Sequence, residues 1–120
     1  MAKHRRARRK QNDRGSVTVE TAIVLSAFVI VLGLTLAGLG AAVDKVRCID
    51  AAREAARLTA RGDPEQAQDA AAQIAPSGAA ITIHTEGEHI HVNVRATPAA
   101  GLLPGVHVDG EAFAVREPAG

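Results

Sequence analysis

The longest uncharged run of the chain lies near its N-terminus. Residues 21–43 are 23 consecutive positions without a charged side chain. A helix of that length spans about 34 Å, which matches the ~30 Å hydrocarbon core of a bilayer with modest tilt. A soluble protein of 120 residues rarely contains a helix that is apolar on every face for so long. The pattern therefore predicts a transmembrane helix, which we place at residues 16–43.

A second helical pattern follows the apolar run. Residues 46–61 are rich in Ala, the best helix former, and carry oppositely charged side chains one turn apart. Gly62 suits a C-terminal cap, and Asp63 with Pro64 suits the start of another helix that ends near Ala75. The predicted ion pairs are Asp50–Arg53 and Glu54–Arg57. The predicted apolar faces are Ile49, Ala52, Ala56 and Ala60 on the first helix, and Ala67, Ala70, Ala71 and Ile74 on the second.

The period then changes from helical to alternating. Residues 80–85 and 89–96 alternate apolar and polar side chains, which indicates half-buried strands. A two-residue loop beginning at Gly87 pairs Ile83 with Val92 and keeps the apolar side chains on one face. A slip of one residue would move them to the other face and is disfavoured.

These patterns together predict an α+β protein. Residues 106–108 and 112–116 are expected to add a third strand or a broken pair. The predicted architecture is a long N-terminal transmembrane helix that continues into a small domain with a second helix and an antiparallel hairpin or three-stranded sheet. We predict three regions: a basic leader at 1–15, the membrane helix at 16–43, and an α+β domain at 44–120.

Charge is distributed very unevenly and predicts the orientation. Residues 1–14 carry seven basic side chains and one acidic one, a net charge of +6, whereas residues 15–120 carry seven basic and twelve acidic ones, a net charge of −5. Because an excess of Lys and Arg stays in the cytoplasm, we expect residues 44–120 to lie outside the cell membrane. The basic run has no interleaved aromatic residues, so we interpret it as a topology signal that touches anionic lipid and expect no nucleic-acid partner.

A nine-residue motif stands at the predicted membrane border: Arg14-Gly15-Ser16-Val17-Thr18-Val19-Glu20-Thr21-Ala22. A basic leader ends in Gly, an apolar helix follows, and the only charge near its start is a Glu at the fifth position after that Gly. This segment resembles type IV pilin precursors, and within them the TadE-like family of tight-adherence pilus proteins, whose pattern is R-G-x-x-x-V-E-x-A. The resemblance covers about 30 residues. The chain departs from many members at Leu25-Ser26, where they carry Leu-Pro.

The resemblance implies a function and a processing site. A prepilin peptidase is expected to cut after Gly15 and leave Ser16 as the new N-terminus. The mature chain is then expected to act as a minor pilin or pseudopilin, with the membrane, pilin subunits and the pilus assembly machinery as its partners.

Glu20 fits that processing on physical grounds. A carboxylate at the centre of a membrane helix costs about 2.5–3.5 kcal/mol, and less near an interface, so Glu20 needs headgroups or a cationic partner. Cleavage after Gly15 would create a free ammonium on Ser16 at the same membrane face, on this chain or on a neighbour.

Small residues recur at four-residue spacing further along the same helix, at Gly33, Ala37 and Ala41. Such spacing permits close approach of two helices in a membrane.

The sequence gives little support for a metal site or an enzyme active site. His84, His89 and His91 are weak candidates for a metal site, because the predicted hairpin sets His84 opposite His91 and His89 opposite Glu86. Their spacing matches no specific metal signature, and no nucleophile has a credible base, so we expect no metal, no cofactor and no enzyme activity. Cys48 is the only cysteine and is interpreted as a small buried or interfacial residue.

Two alternatives remain open. One is an uncleaved single-pass membrane protein whose extracytoplasmic domain binds a ligand or a metal. The other is a small secreted protein released near Ala42. The three hypotheses predict different mature N-termini, namely Ser16, a residue near Met1, and a residue around Val43.

Overall fold

The computed structural model describes residues 2–98 and 105–118, with side chains from residue 13 onward, and confirms the α+β class. Its elements are α1 (Ala2–Ala60), α2 (Pro64–Ile74), β1 (Ala80–Glu86), β2 (His89–Ala96) and β3 (Val108–Val115). The chain forms two compact units, Met1–Leu36 and Ala37–Gly120. The second is called the α+β unit below.

The first unit contains the part of helix α1 that ends at Leu36. The apolar side chains of this part are exposed on all sides, including Val17, Ile23 and Phe28. Within the described part of the chain, one helical segment, Asp13–Ala60, is long and apolar enough to cross a membrane. The predicted long apolar helix is therefore present.

Hydroxyl groups on this apolar helix are satisfied by the helix itself. Thr18, Thr21, Ser26 and Thr35 each donate to the carbonyl oxygen four residues earlier, at 2.7–3.0 Å. Because lipid offers no hydrogen-bond partners, this arrangement lowers the cost of placing these side chains in a bilayer.

In the α+β unit, α1 ends in a Schellman motif. Gly62 adopts a left-handed φ of 93°, and its N–H donates to the Thr59 carbonyl at 3.0 Å, while the Asp63 N–H donates to the Leu58 carbonyl at 3.0 Å. This confirms Gly62 as the cap residue. Pro64 begins α2 as predicted, with Asp63 at the N-cap position, although the Asp63 carboxylate makes no capping hydrogen bond. The Asp63 backbone is already held by the Schellman bond.

The three strands form one antiparallel sheet in the order β1-β2-β3. The predicted hairpin register is confirmed, with Ile83 opposite Val92, and Gly87 adopts a left-handed φ of 62° at the turn. The third strand is single and unbroken, pairing with β2 over its whole length, so Val106 and His107 lie outside it.

The core lies between the inner face of the sheet and the two helices. It is built mainly from Ala on the helices and from Ile90, Val92 and Val94 on the central strand β2. Helix α1 touches the sheet so closely that a methyl group on Gly110 of β3 would overlap the backbone of Cys48 and Ile49. Small side chains therefore set the distance between helix and sheet.

Polar contacts join the elements at the edge of this core. The Arg47 guanidinium donates to the Ile74 carbonyl at 3.1 Å and the Ala75 carbonyl at 3.4 Å, at the end of α2. Lys45 pairs with Asp109 at the start of β3. Of the two predicted helical ion pairs, Glu54–Arg57 is formed at 2.5 Å, and this hydrogen bond lowers the pKa of Glu54.

Candidate functional site

The predicted processing site lies on exposed helix. Gly15, Ser16 and Glu20 all belong to α1 and are exposed. A Cβ added at Gly15 would meet no atom within 4 Å. No packing of the described chain therefore requires a glycine at this position.

Glu20 is a charge on an apolar surface. The side chains beside it include Val17, Val24 and Leu25, which line shallow grooves on either side of the carboxylate. Among the side chains that the structure describes, none forms an ion pair with Glu20. Ser16 lies one helical turn before Glu20, and residues four apart are neighbours on a helix surface. An ammonium on Ser16 would therefore be adjacent to this carboxylate.

The predicted small-residue series is only partly open to a neighbouring helix. Gly33 is exposed, and a Cβ there would meet nothing within 4 Å. In the α+β unit, Ala37 and Ala41 are half-buried within their own chain, together with Gly40. Gly33 is thus the most accessible of the three positions for contact between helices.

The histidines lie where the register prediction put them. His84 pairs across the hairpin with His91, and His89 with Glu86. However, no group of three or more His, Cys, Asp or Glu side chains in the described ranges is arranged to hold a metal ion. The metal alternative gains no geometric support from these residues.

Cys48 belongs to the core of the α+β unit. Its side chain is fully buried where α1 meets β3. Burial raises the pKa of the Cys48 thiol, and the Asp44 carboxylate raises it further. A buried, protonated thiol is a poor nucleophile, so the interpretation of Cys48 as a packing residue is favoured over a disulfide between chains.

The outer face of the sheet carries a feature that the sequence interpretation missed. Phe113 is 75% exposed and Val115 is 57% exposed. The signal was present in the alternation of β3, because the small residues Gly110, Ala112 and Ala114 share the opposite, inward face. Phe113 must then point outward.

Comparison with known proteins places these features in context. A family model described as TadE-like protein matches residues 15–57, so the match starts at Gly15 and covers the apolar helix. A protein of Mycobacterium tuberculosis (strain ATCC 25618 / H37Rv) named apoptosis inhibitor Rv3655c is 46% identical over 100 residues, which cover 83% of this chain and 78% of that protein. No solved structure matches the chain.

Proposed function

This chain belongs to the TadE-like family, and we propose that it is a minor pilin or pseudopilin that takes part in assembling a tight-adherence, type IV-like pilus. The observation that carries the proposal is the placement of Glu20, a lone carboxylate on a fully exposed apolar helix, at the fifth position after Gly15. In this proposal the helix spans the cell membrane, the leader lies in the cytoplasm, and residues 44–120 lie outside.

Processing is the first proposed step. A prepilin peptidase hydrolyses the peptide bond between Gly15 and Ser16, which releases the leader and leaves an ammonium group on Ser16. Because Gly15 lies within α1, the helix must unwind locally to enter the protease. A glycine in a helix costs roughly 0.5–1 kcal/mol relative to Ala, so Gly15 makes that unwinding easier.

Cleavage also changes the charge of the protein. The net charge falls from +1 for the whole chain to −5 for residues 16–120, which carry seven basic and twelve acidic side chains. The basic side chains that hold the N-terminus at the cytoplasmic face are then gone. The helix leaves the bilayer more easily and can pack against pilin helices.

Packing in the filament follows from the exposed side chains of α1. The Ser16 ammonium neutralises Glu20 on its own chain or on a neighbour, which removes the cost of a lone carboxylate among apolar helices. Gly33 allows a neighbouring helix to approach closely. The name of the mycobacterial relative refers to inhibition of apoptosis, and no feature of the described residues favours that activity for this chain.

The test is the mature N-terminus of the protein extracted from membranes of its native host. We expect it to begin at Ser16 in the wild type. The Gly15→Leu variant should retain the leader, since an added Cβ meets nothing in the folded chain, whereas the larger side chain obstructs the protease and makes local unwinding of the helix harder. Gly38→Leu is the matched control, because it adds the same side chain to an equally open helical position and should be cut normally.

Other outcomes would contradict the proposal in distinguishable ways. A wild-type start at or near Met1 would indicate an uncleaved membrane protein with an outer binding domain. A start around Val43 would indicate a secreted product.

A further inference from the structure

One end of the α+β unit lies where the apolar part of α1 stops. Residues 37–43 belong both to this unit and to the uncharged run of the sequence. Charged side chains resume at Asp44 and Lys45. The proposed membrane span therefore places the edge of the hydrocarbon core close to these two residues.

Strand β3 begins at this end and runs in the same direction as α1. Lys45 pairs with Asp109 at the start of the strand. Just beyond the other end of the strand, the Glu117 N–H donates to the Ala60 carbonyl at 3.0 Å, where α1 ends. Val106, which precedes β3, therefore lies at the membrane-facing end of the unit.

The two connections at the membrane-facing end lack charged side chains. Residues 75–79 join α2 to β1, and residues 97–107 join β2 to β3; neither segment contains Asp, Glu, Lys or Arg. Arg47 of α1 donates to the last carbonyls of α2, which places the first connection at the level of Arg47. At the opposite end, the turn after α1, the hairpin loop and the segment after β3 are all charged, through Arg61, Asp63, Glu88, Arg116 and Glu117.

One face of α1 is covered by its own chain inside the apolar run. Ala37 and Ala41 are half-buried, whereas Ala42 on another face is exposed. The two covered residues share a helix face with the buried Cys48, since they precede it by eleven and seven positions. At 1.5 Å per residue, Ala37 lies about 9 Å inside the end of the apolar run. In the proposed topology, the α+β unit therefore reaches the depth of the outer leaflet.

We propose, on the basis of the membrane span proposed above, that this end of the α+β unit rests on the lipid bilayer and inserts Val106 at the boundary between headgroups and acyl chains. Val106 is 44% exposed, and an apolar side chain gains free energy when it leaves water. Phospholipid is the occupant because the exposed apolar surface of α1, which ends at Val43 and Val46, continues into this end of the unit.

The contact is apolar rather than electrostatic. The charged side chains at this end nearly balance, since Lys45 pairs with Asp109 and Arg95 lies opposite the same Asp109 across the sheet. A balanced surface predicts the same contact with zwitterionic and anionic lipids, unlike a polybasic one. Arg47 is four residues past the apolar run, about 6 Å along the helix, so residues 75–79 stay among hydrated headgroups. Extraction of the helix into a filament must also release Val106.

The test uses the full chain in phosphatidylcholine nanodiscs, with one NBD fluorophore attached through an introduced cysteine. Val106→Cys is the test site, and Val115→Cys is the matched control, because Val115 is an exposed valine (57%) at the other end of β3. Cys48 is buried, so the folded wild type should take up no label. We expect doxyl-labelled lipid to quench NBD at residue 106 and aqueous iodide to quench it at residue 115, with little of the converse.

A label in the apolar helix, at Phe28→Cys, separates this contact from the membrane span. Quenching by doxyl lipid at residue 28 but not at residue 106 would leave the span standing and overturn the contact. Quenching at neither residue would overturn both. The contact is also overturned if quenching at residue 106 requires anionic lipid, which would indicate a headgroup site, or rises with the number of chains per disc, which would indicate a second copy.

Substitution of Val106 tests its side chain directly, with NBD at the neighbouring exposed His107→Cys. Val106→Asp should lose most of the lipid quenching at residue 107, because a carboxylate resists transfer out of water. Val106→Ile should retain the quenching. Val115→Asp adds the same charge at the other end of β3 and should leave it unchanged. Equal quenching with Val and with Asp at residue 106 would show that this side chain is not inserted.

Discussion

At the scale of single residues, Gly110 decides how closely helix and sheet pack. Its Cα faces the backbone of Cys48 and Ile49 with no room for a methyl group. The next two inward residues along β3 are Ala112 and Ala114, which are also small. The close approach buries Cys48 completely. Since the contact is to backbone atoms, no side-chain rotation can relieve a larger residue there.

Gly110→Ala is therefore expected to destabilise the α+β unit by about 1–3 kcal/mol, the usual cost of overpacking. The measurement is thermal unfolding of the full chain in micelles, followed by circular dichroism. Gly40→Ala is the control, because its added methyl group meets nothing within 4 Å. Equal melting temperatures for Gly110→Ala and the wild type would show that helix and sheet do not approach this closely.

At the scale of elements, the joint between α1 and α2 depends on one left-handed residue. Gly62 carries the positive φ of the Schellman motif, and two hydrogen bonds close the turn around it. The turn redirects the chain so that α2 can place Ala67 and Ala71 in the core. Arg47 then holds the far end of α2 through its last carbonyls.

Replacing Gly62 by Ala should lower stability by about 1–2 kcal/mol, because an L-residue with a Cβ resists the left-handed conformation. Gly62→Asn should lose less, since Asn tolerates that conformation better. Urea unfolding of the three proteins in the same detergent measures their stability. We expect the wild type to be the most stable, Gly62→Asn the next and Gly62→Ala the least stable. If Gly62→Ala and the wild type have the same free energy of unfolding, the left-handed conformation at residue 62 does not strain an L-residue.

At the scale of the whole molecule, the charge asymmetry determines the expected topology. The leader carries +6 and residues 44–120 carry −4, and basic flanks stay in the cytoplasm. The wild-type protein provides an unlabelled background for testing this by cysteine labelling, because its only cysteine is buried and the pKa of that thiol is raised by burial.

We expect Ser77→Cys, in the exposed turn after α2, to react with a membrane-impermeant maleimide on intact spheroplasts. Asp13→Cys, in a Gly15→Leu background that keeps the leader, should react only after permeabilisation. Wild-type protein should remain unlabelled in both cases unless it is denatured. Labelling of residue 13 from outside would reverse the predicted orientation.

Local signals were strong enough to predict most of the fold. The uncharged run predicted the apolar helix, the change of period separated helices from strands, and the alternation of Ile and Val predicted the hairpin register. Gly62 and Gly87 were identifiable because a positive φ favours glycine. The segment from Arg14 to Ala22 predicted the family, since its chemistry lies within one contiguous stretch.

The tertiary structure decided what depends on residues far apart in sequence. Only the packing of α1 on β3 explains Gly110, because its neighbours Cys48 and Ile49 are some sixty positions earlier. The same packing buries Cys48, and the register of β2 and β3 leaves Phe113 on the outer face, stacked on His91. Periodicity predicts that a strand has two faces, but which face is covered depends on the free energy of packing the whole α+β unit.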